Sequence, residues 1–98
     1  MLRRVVITGL GAVSPNGIGQ KEFWENTCKG ISGIDRITSF DPVDLSCQIA
    51  GEVTNFDPSL YYSAADLKKL PRTVPLAVAA TQEALANAGI DLGSFSEE

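Results

Sequence analysis

Three groups of residues in this 98-residue chain have side chains or backbone suited to chemistry: the thiols Cys28 and Cys47, the run Thr8-Gly9-Leu10-Gly11, and the cations Lys68, Lys69 and Arg72. A cysteine acts as nucleophile or metal ligand only as the thiolate, which needs a base or a cationic neighbour. The chain has no histidine. It therefore supplies neither an imidazole base nor a Cys/His zinc set. Two cysteines also make no disulfide framework. They are expected to be reduced thiols in a cytoplasmic protein. Cys28 shares a helical face with Phe23, Thr27 and Ile31, which predicts a packing side chain rather than a nucleophile. No catalytic residue, cofactor ligand or metal ligand is assigned within residues 1–98.

The glycine run follows a β-branched stretch, Val5-Val6-Ile7, and begins like a dinucleotide fingerprint. In that fingerprint one glycine makes the turn, a second lets pyrophosphate approach, and a third lets helix and strand pack. Here Ser14 stands in the third place and Pro15 follows it. The next helix is expected to begin near Gln20, too far on to hold the phosphate at its N-terminus, and Asp35 is only loosely placed for a ribose. A bend at the end of a strand accounts for Gly9 and Gly11 better than a nucleotide site does.

The cations stand out from their surroundings. The chain carries a net charge of −4, yet Lys68, Lys69 and Arg72 lie within five residues of one another. Such a patch steers an acidic partner. The plainer alternative is a solvated helix face whose exposed charge pairs each contribute at most about 1 kcal/mol. The overall acidity counts against nucleic acid as the partner. The 44 % hydrophobic and 20 % charged fractions are those of an ordinary globular chain. No apolar run approaches a membrane span. Met1 to Val13 faintly resembles a signal sequence, but Gly9 and Gly11 interrupt it and no good cleavage site follows.

The elements that must position these groups follow from pattern. Val5 to Ile7, apolar on both faces, predicts a central strand covered on both sides. Ser14-Pro15-Asn16-Gly17 is turn chemistry. A helix is expected from Gln20 to Lys29, with Gly19 as N-cap and Gly30 ending it. Residues 30–46 read as irregular. The alternation from Cys47 to Thr54 predicts a half-buried strand, with Gly51 admitting a close neighbour. Asp57-Pro58 starts a short helical turn. Ser63 to Asp66 forms a capping box that opens a short helix carrying Lys68 and Lys69, stopped by Pro71. A longer helix is expected from Thr73 to Ala88, its stripe being Val74, Ala77, Val78, Thr81, Leu85 and Ala88, with Gly89 as terminator. The ordered core spans about residues 3–90, and 91–98 form a polar tail. A two-stranded sheet is marginal alone, so the pattern predicts an α/β piece of something larger, prone to aggregate through the edges of residues 4–8.

Six segments in order and spacing resemble the N-terminal region of the β-ketoacyl-[acyl-carrier-protein] synthases, closest to the type II elongating form. They are Arg4 to Gly17, Phe23-Trp24, Gly30 to Ile34, Phe40-Asp41, Ala50 to Val53 and Ala77 to Gly89, and the resemblance they mark out runs over nearly all of residues 3–91. The resemblance implies the N-terminal part of a thiolase-like layered α-β-α-β-α fold, incomplete in this chain. It implies decarboxylative condensation of acyl and malonyl thioesters in fatty-acid or polyketide synthesis by the whole enzyme, through a cysteine and two histidines. None of these maps onto residues 1–98, so the chain alone is expected to be inactive scaffold. The implied partners are acyl carrier protein, the rest of the synthase chain and, in the full-length family, a second subunit. Lys68 and Lys69 match two positions of a carrier-docking basic cluster. Ala65 stands where another family position is often basic, and Arg72 adds charge without a clear match. The alternatives are a non-catalytic carrier-binding module or a small nucleotide-binding domain at Gly9/Gly11.

Overall fold

In the computed structural model, which describes residues 2–94, four short strands pair in two separate antiparallel hairpins, and of three α-helices the first and third pack on the first hairpin. β1 (Val13–Ser14) and β2 (Gly17–Ile18) pair Val13 with Ile18 and Ser14 with Gly17. Pro15 and Asn16 make the two-residue turn between them. The Ser14 hydroxyl donates to the Gly17 carbonyl at 2.9 Å, and the Gly19 amide extends the ladder to the Ala12 carbonyl.

α1 (Gln20–Cys28) begins at the expected place. Gly19, its N-cap, has no side chain with which to cap it. Gly30, at φ 71°, turns the chain out of the helix. Asn26 of α1 donates to the Asn16 carbonyl at 2.5 Å and pins the helix to the turn. The expected packing face is not realised. Phe23, Thr27, Cys28 and Ile31 are all exposed, and so is Cys47. Among the described residues that side of α1 is left exposed, so helical periodicity here marks a face that nothing buries.

The second hairpin joins β3 (Ile34–Arg36), in the segment expected to be irregular, to β4 (Ile49–Gly51). The half-buried strand expected over 47–54 is thus shortened to three residues. Gly51 does admit a close neighbour: a Cβ there would lie 2.8 Å from Pro15 Cγ. The Glu52 carboxylate accepts from the Thr38 amide at 2.7 Å and the Ser39 amide at 3.0 Å.

Asp57 accepts from the Ser59 amide and opens the 3-10 turn Pro58–Leu60, as its proline at N1 requires. The capping box forms at α2 (Ala64–Leu67): the Asp66 amide donates to Ser63 Oγ at 3.3 Å. α3 (Thr73–Ala88) has the expected bounds. Pro75 sits in its first turn, where the missing N–H has no intrahelical acceptor to leave unpaired. Gly89 takes the left-handed conformation at φ 69°, and the Ile90 amide reaches back to the Leu85 carbonyl. The inward stripe of α3 is rotated from the expected one. Ala77 and Thr81 are exposed, whereas Pro75 and Ala79 are buried.

The strand expected at Val5 to Ile7 is absent. Residues 2–12 join no sheet. Val5 is 90 % exposed and Ile7 84 %. Among the described residues Phe56 is the one large hydrophobic side chain that is buried, stacked on Tyr61 with ring centroids 5.7 Å apart. The radius of gyration is 17.3 Å, against roughly 13 Å for a compact domain of this length.

Candidate functional site

Lys68 is the residue that ends α2, and Lys69 follows it, so both cations lie just beyond the helix rather than on it. The Lys69 amide closes the turn onto the Asp66 carbonyl at 3.0 Å. Both side chains are exposed, and among the described residues neither forms an ion pair or a side-chain hydrogen bond. The Asp66 carboxylate is engaged by the Ser63 hydroxyl at 2.8 Å. Arg72 differs. Its guanidinium donates to the Val53 carbonyl at 2.5 Å and ties the start of α3 to the strand region that follows β4. The three cations named from the sequence therefore divide into two free charges and one structural tie.

The glycine run is filled by protein. A Cβ on Gly11 would collide with the Ala80 carbonyl and stand 2.9 Å from the Ala84 nitrogen. One on Gly9 would collide with the Ala84 carbonyl and stand 2.8 Å from Ala88 Cβ. Ala80, Ala84 and Ala88 recur every four residues and make one smooth ridge on α3. The two glycines lie against that ridge, backbone on backbone. Ser14, the third fingerprint position, belongs to the hairpin and not to a helix start.

The donors that a phosphate would need are also taken. The Ala12 amide donates to Glu83 Oε2 at 3.2 Å and the Gln20 amide to Glu83 Oε1 at 2.6 Å. The Leu10 amide donates to Asn87 Oδ1 at 3.1 Å. Glu83 thus brings its own carboxylate to the N-terminus of α1, the end that favours negative charge. It supplies from 63 residues away the cap that Gly19 cannot. Sequence reasoning missed Glu83 and Asn87. The available signal was a pair of polar residues at i and i+4 beside the alanine ridge of a helix that meets a glycine-rich segment.

Neither thiol has a nucleophile's setting. Cys28 and Cys47 are free and exposed, and Cys47 Sγ lies 3.5 Å from the Ile49 carbonyl oxygen. Among the described residues no group of three or more His, Cys, Asp or Glu side chains could hold a metal, and no helix is long and apolar enough to cross a membrane.

Comparison with known proteins agrees with the pattern of residues. The family profile for the beta-ketoacyl synthase N-terminal domain matches residues 2–98. The chain is 40 % identical over 90 residues to 3-oxoacyl-[acyl-carrier-protein] synthase 2 of Staphylococcus aureus (strain COL), covering 92 % of this chain and 22 % of that one. It is 34 % identical to the synthase of the same name from Synechocystis over 98 % of its own length and 23 % of the relative's. It is 44 % identical over 92 residues to a putative polyketide beta-ketoacyl synthase 1 of Streptomyces halstedii, again covering 22 % of it. Among solved structures, the ishigamide ketosynthase/chain length factor superposes with a TM-score of 0.82 at 34 % identity, over 98 % of this chain and 24 % of that one. The chain therefore spans under a quarter of the length of these relatives. With matched order, spacing and backbone, it belongs to the β-ketoacyl synthase family and corresponds to part of its N-terminal domain.

Proposed function

We propose that residues 1–98 are a scaffold segment of a 3-oxoacyl-[acyl-carrier-protein] synthase of the cytoplasm. The segment would open a thiolase-like layered fold and present Lys68 and Lys69 to acyl carrier protein. The whole enzyme would condense an acyl thioester with a malonyl thioester by decarboxylation. That chemistry needs a thiolate to carry the acyl group and preorganised donors for the enolate. With no histidine and two exposed thiols outside any donor cluster, the 98-residue chain supplies neither. A homodimer, as in the full-length family, belongs to the same proposal.

One observation carries the docking assignment. In a chain of net charge −4, Lys68 and Lys69 are adjacent, exposed and unengaged by any described carboxylate. Unpaired cations at a rim steer encounter with an acidic partner, and their effect falls with ionic strength. The test is stopped-flow association of acyl carrier protein with a full-length synthase carrying this segment. K68E/K69E should slow association by about tenfold at low salt and flatten its salt dependence. Arg72→Gln should leave the salt slope nearly unchanged. Association kinetics unaltered by K68E/K69E would remove the docking role.

A further inference from the structure

Arg72 stands where local chemistry disfavours it. It is the N-cap of α3 yet makes no side-chain cap bond, and its charge lies at the helix end that repels cations. The guanidinium instead donates to the Val53 carbonyl, 19 residues away, at 2.5 Å. That bond closes residues 53–72 into a loop. Among the described residues, every other hydrogen bond made by residues 54–72 reaches four residues or fewer along the chain.

The loop has no other device to fix its direction. α2 has four residues and packs on the 3-10 turn Pro58–Leu60. Pro71 then separates α2 from α3, so no continuous helix carries orientation from one to the other. Phe56 and Tyr61 stack inside the loop and give it a small core of its own. The two ends that Arg72 joins are firm by comparison. On one side Gly51 lies against Pro15 and the Thr38 and Ser39 amides hold Glu52. On the other stands the 16-residue α3. Lys68 and Lys69 lie within one turn before Arg72, on the limb that the bond secures.

We infer that Arg72 is a positioning residue for the Lys68/Lys69 pair, holding the turn that carries them through its bond to the Val53 carbonyl. Given the docking role proposed above, the two kinds of cation then do different work. The free lysines act at a distance, on encounter. The clip acts after encounter, because a loop ordered beforehand loses less freedom on binding, and that gain falls in the dissociation rate.

The test is stopped-flow association and dissociation of acyl carrier protein with a full-length synthase carrying this segment, over a range of ionic strength. Arg72→Met removes every donor at nearly the same length. It should raise the dissociation rate about fivefold and leave the salt slope of association as in the parent. In a K68A/K69A background the same substitution should change the dissociation rate no further. Hydrogen exchange at the Leu67 and Lys69 amides should quicken in Arg72→Met, while the Gln20 amide stays protected. If K68E/K69E leaves association unaltered, the docking role falls and the positioning role with it. If K68E/K69E slows association but Arg72→Met leaves dissociation unchanged, docking stands and the positioning role alone is overturned. It is equally overturned if Arg72→Met shifts the salt slope as a contacting charge would, acts as strongly without the lysines, or strips protection from Gln20.

Discussion

Residues 2–8 and residues 9–12 form one continuous stretch with opposite fates. The second half is poorer in strand-forming residues, containing two glycines and an alanine, yet it is fixed. Gly9 and Gly11 lie on the alanine ridge of α3, and the amides of Leu10 and Ala12 are held by Asn87 and Glu83. The first half has Val5, Val6 and Ile7, strong strand formers, yet among the described residues it makes no hydrogen bond and is largely exposed. Strand propensity is a fit to a surface that must be supplied by neighbours. The glycines succeed because they let a helix approach closely enough for its side chains to replace a partner strand.

The sharpest way to break this comparison is to place a side chain in the seated half. Gly11→Val drives two methyl groups into the Ala80 carbonyl and should cost about 3 kcal/mol, at the upper end of overpacking penalties. The readout is hydrogen exchange at the Ala12 and Gln20 amides, whose protection should largely disappear. Val5→Thr in the unseated half should change the same protection by less than about 0.5 kcal/mol. Equal effects at the two positions would mean that the halves are not differently held.

A smaller effect is expected at Glu83. Glu83→Ala leaves the amides of Ala12 and Gln20 without acceptors and should cost about 1–2 kcal/mol, as the loss of a helix N-cap does. Glu83→Gln keeps one acceptor oxygen and should cost less. Circular dichroism of α1 and exchange at Gln20 measure both, and an alanine variant indistinguishable from the parent would show that Gly19 is capped by water instead.

The smallest expected effect concerns the second hairpin, which like residues 2–8 lies outside the α3 cradle. The Thr38 amide first, then Ser39, holds the Glu52 carboxyl below the usual carboxylate range. Because its folded value is depressed, its stabilisation is present above the ordinary carboxylate pKa and is lost as pH falls through the folded value. The Thr38 and Ser39 amides should therefore lose protection on acidification while protection at Leu10, which donates to neutral Asn87, persists. Glu52→Gln should abolish that pH dependence.

Local chemistry was legible wherever a signal is self-contained. The bounds of α3, its left-handed Gly89, the Asp57-Pro58 turn, the capping box at Ser63 and the start of α1 all depend on neighbours within a few residues. The packing of Cys28 and the strand at Val5 to Ile7 were not legible, because each depends on whether another element arrives to cover it. The basic cluster was half legible: position gave Lys68, Lys69 and Arg72, but only the approach of Val53 shows that Arg72 is tied down.

The sequence by itself determined the family, the helices with the local caps at Ser63 and Gly89, and the lack of an imidazole base anywhere in the chain. These are properties of residue identity and short-range spacing. Tertiary structure alone decided that Gly9 and Gly11 receive a helix and not a phosphate, and that Glu83 caps α1 from 63 residues away. A glycine turn presents the same donors to any anion. Which anion fills it depends on a carboxylate carried there by another helix, and contacts of that range leave no periodicity in the chain.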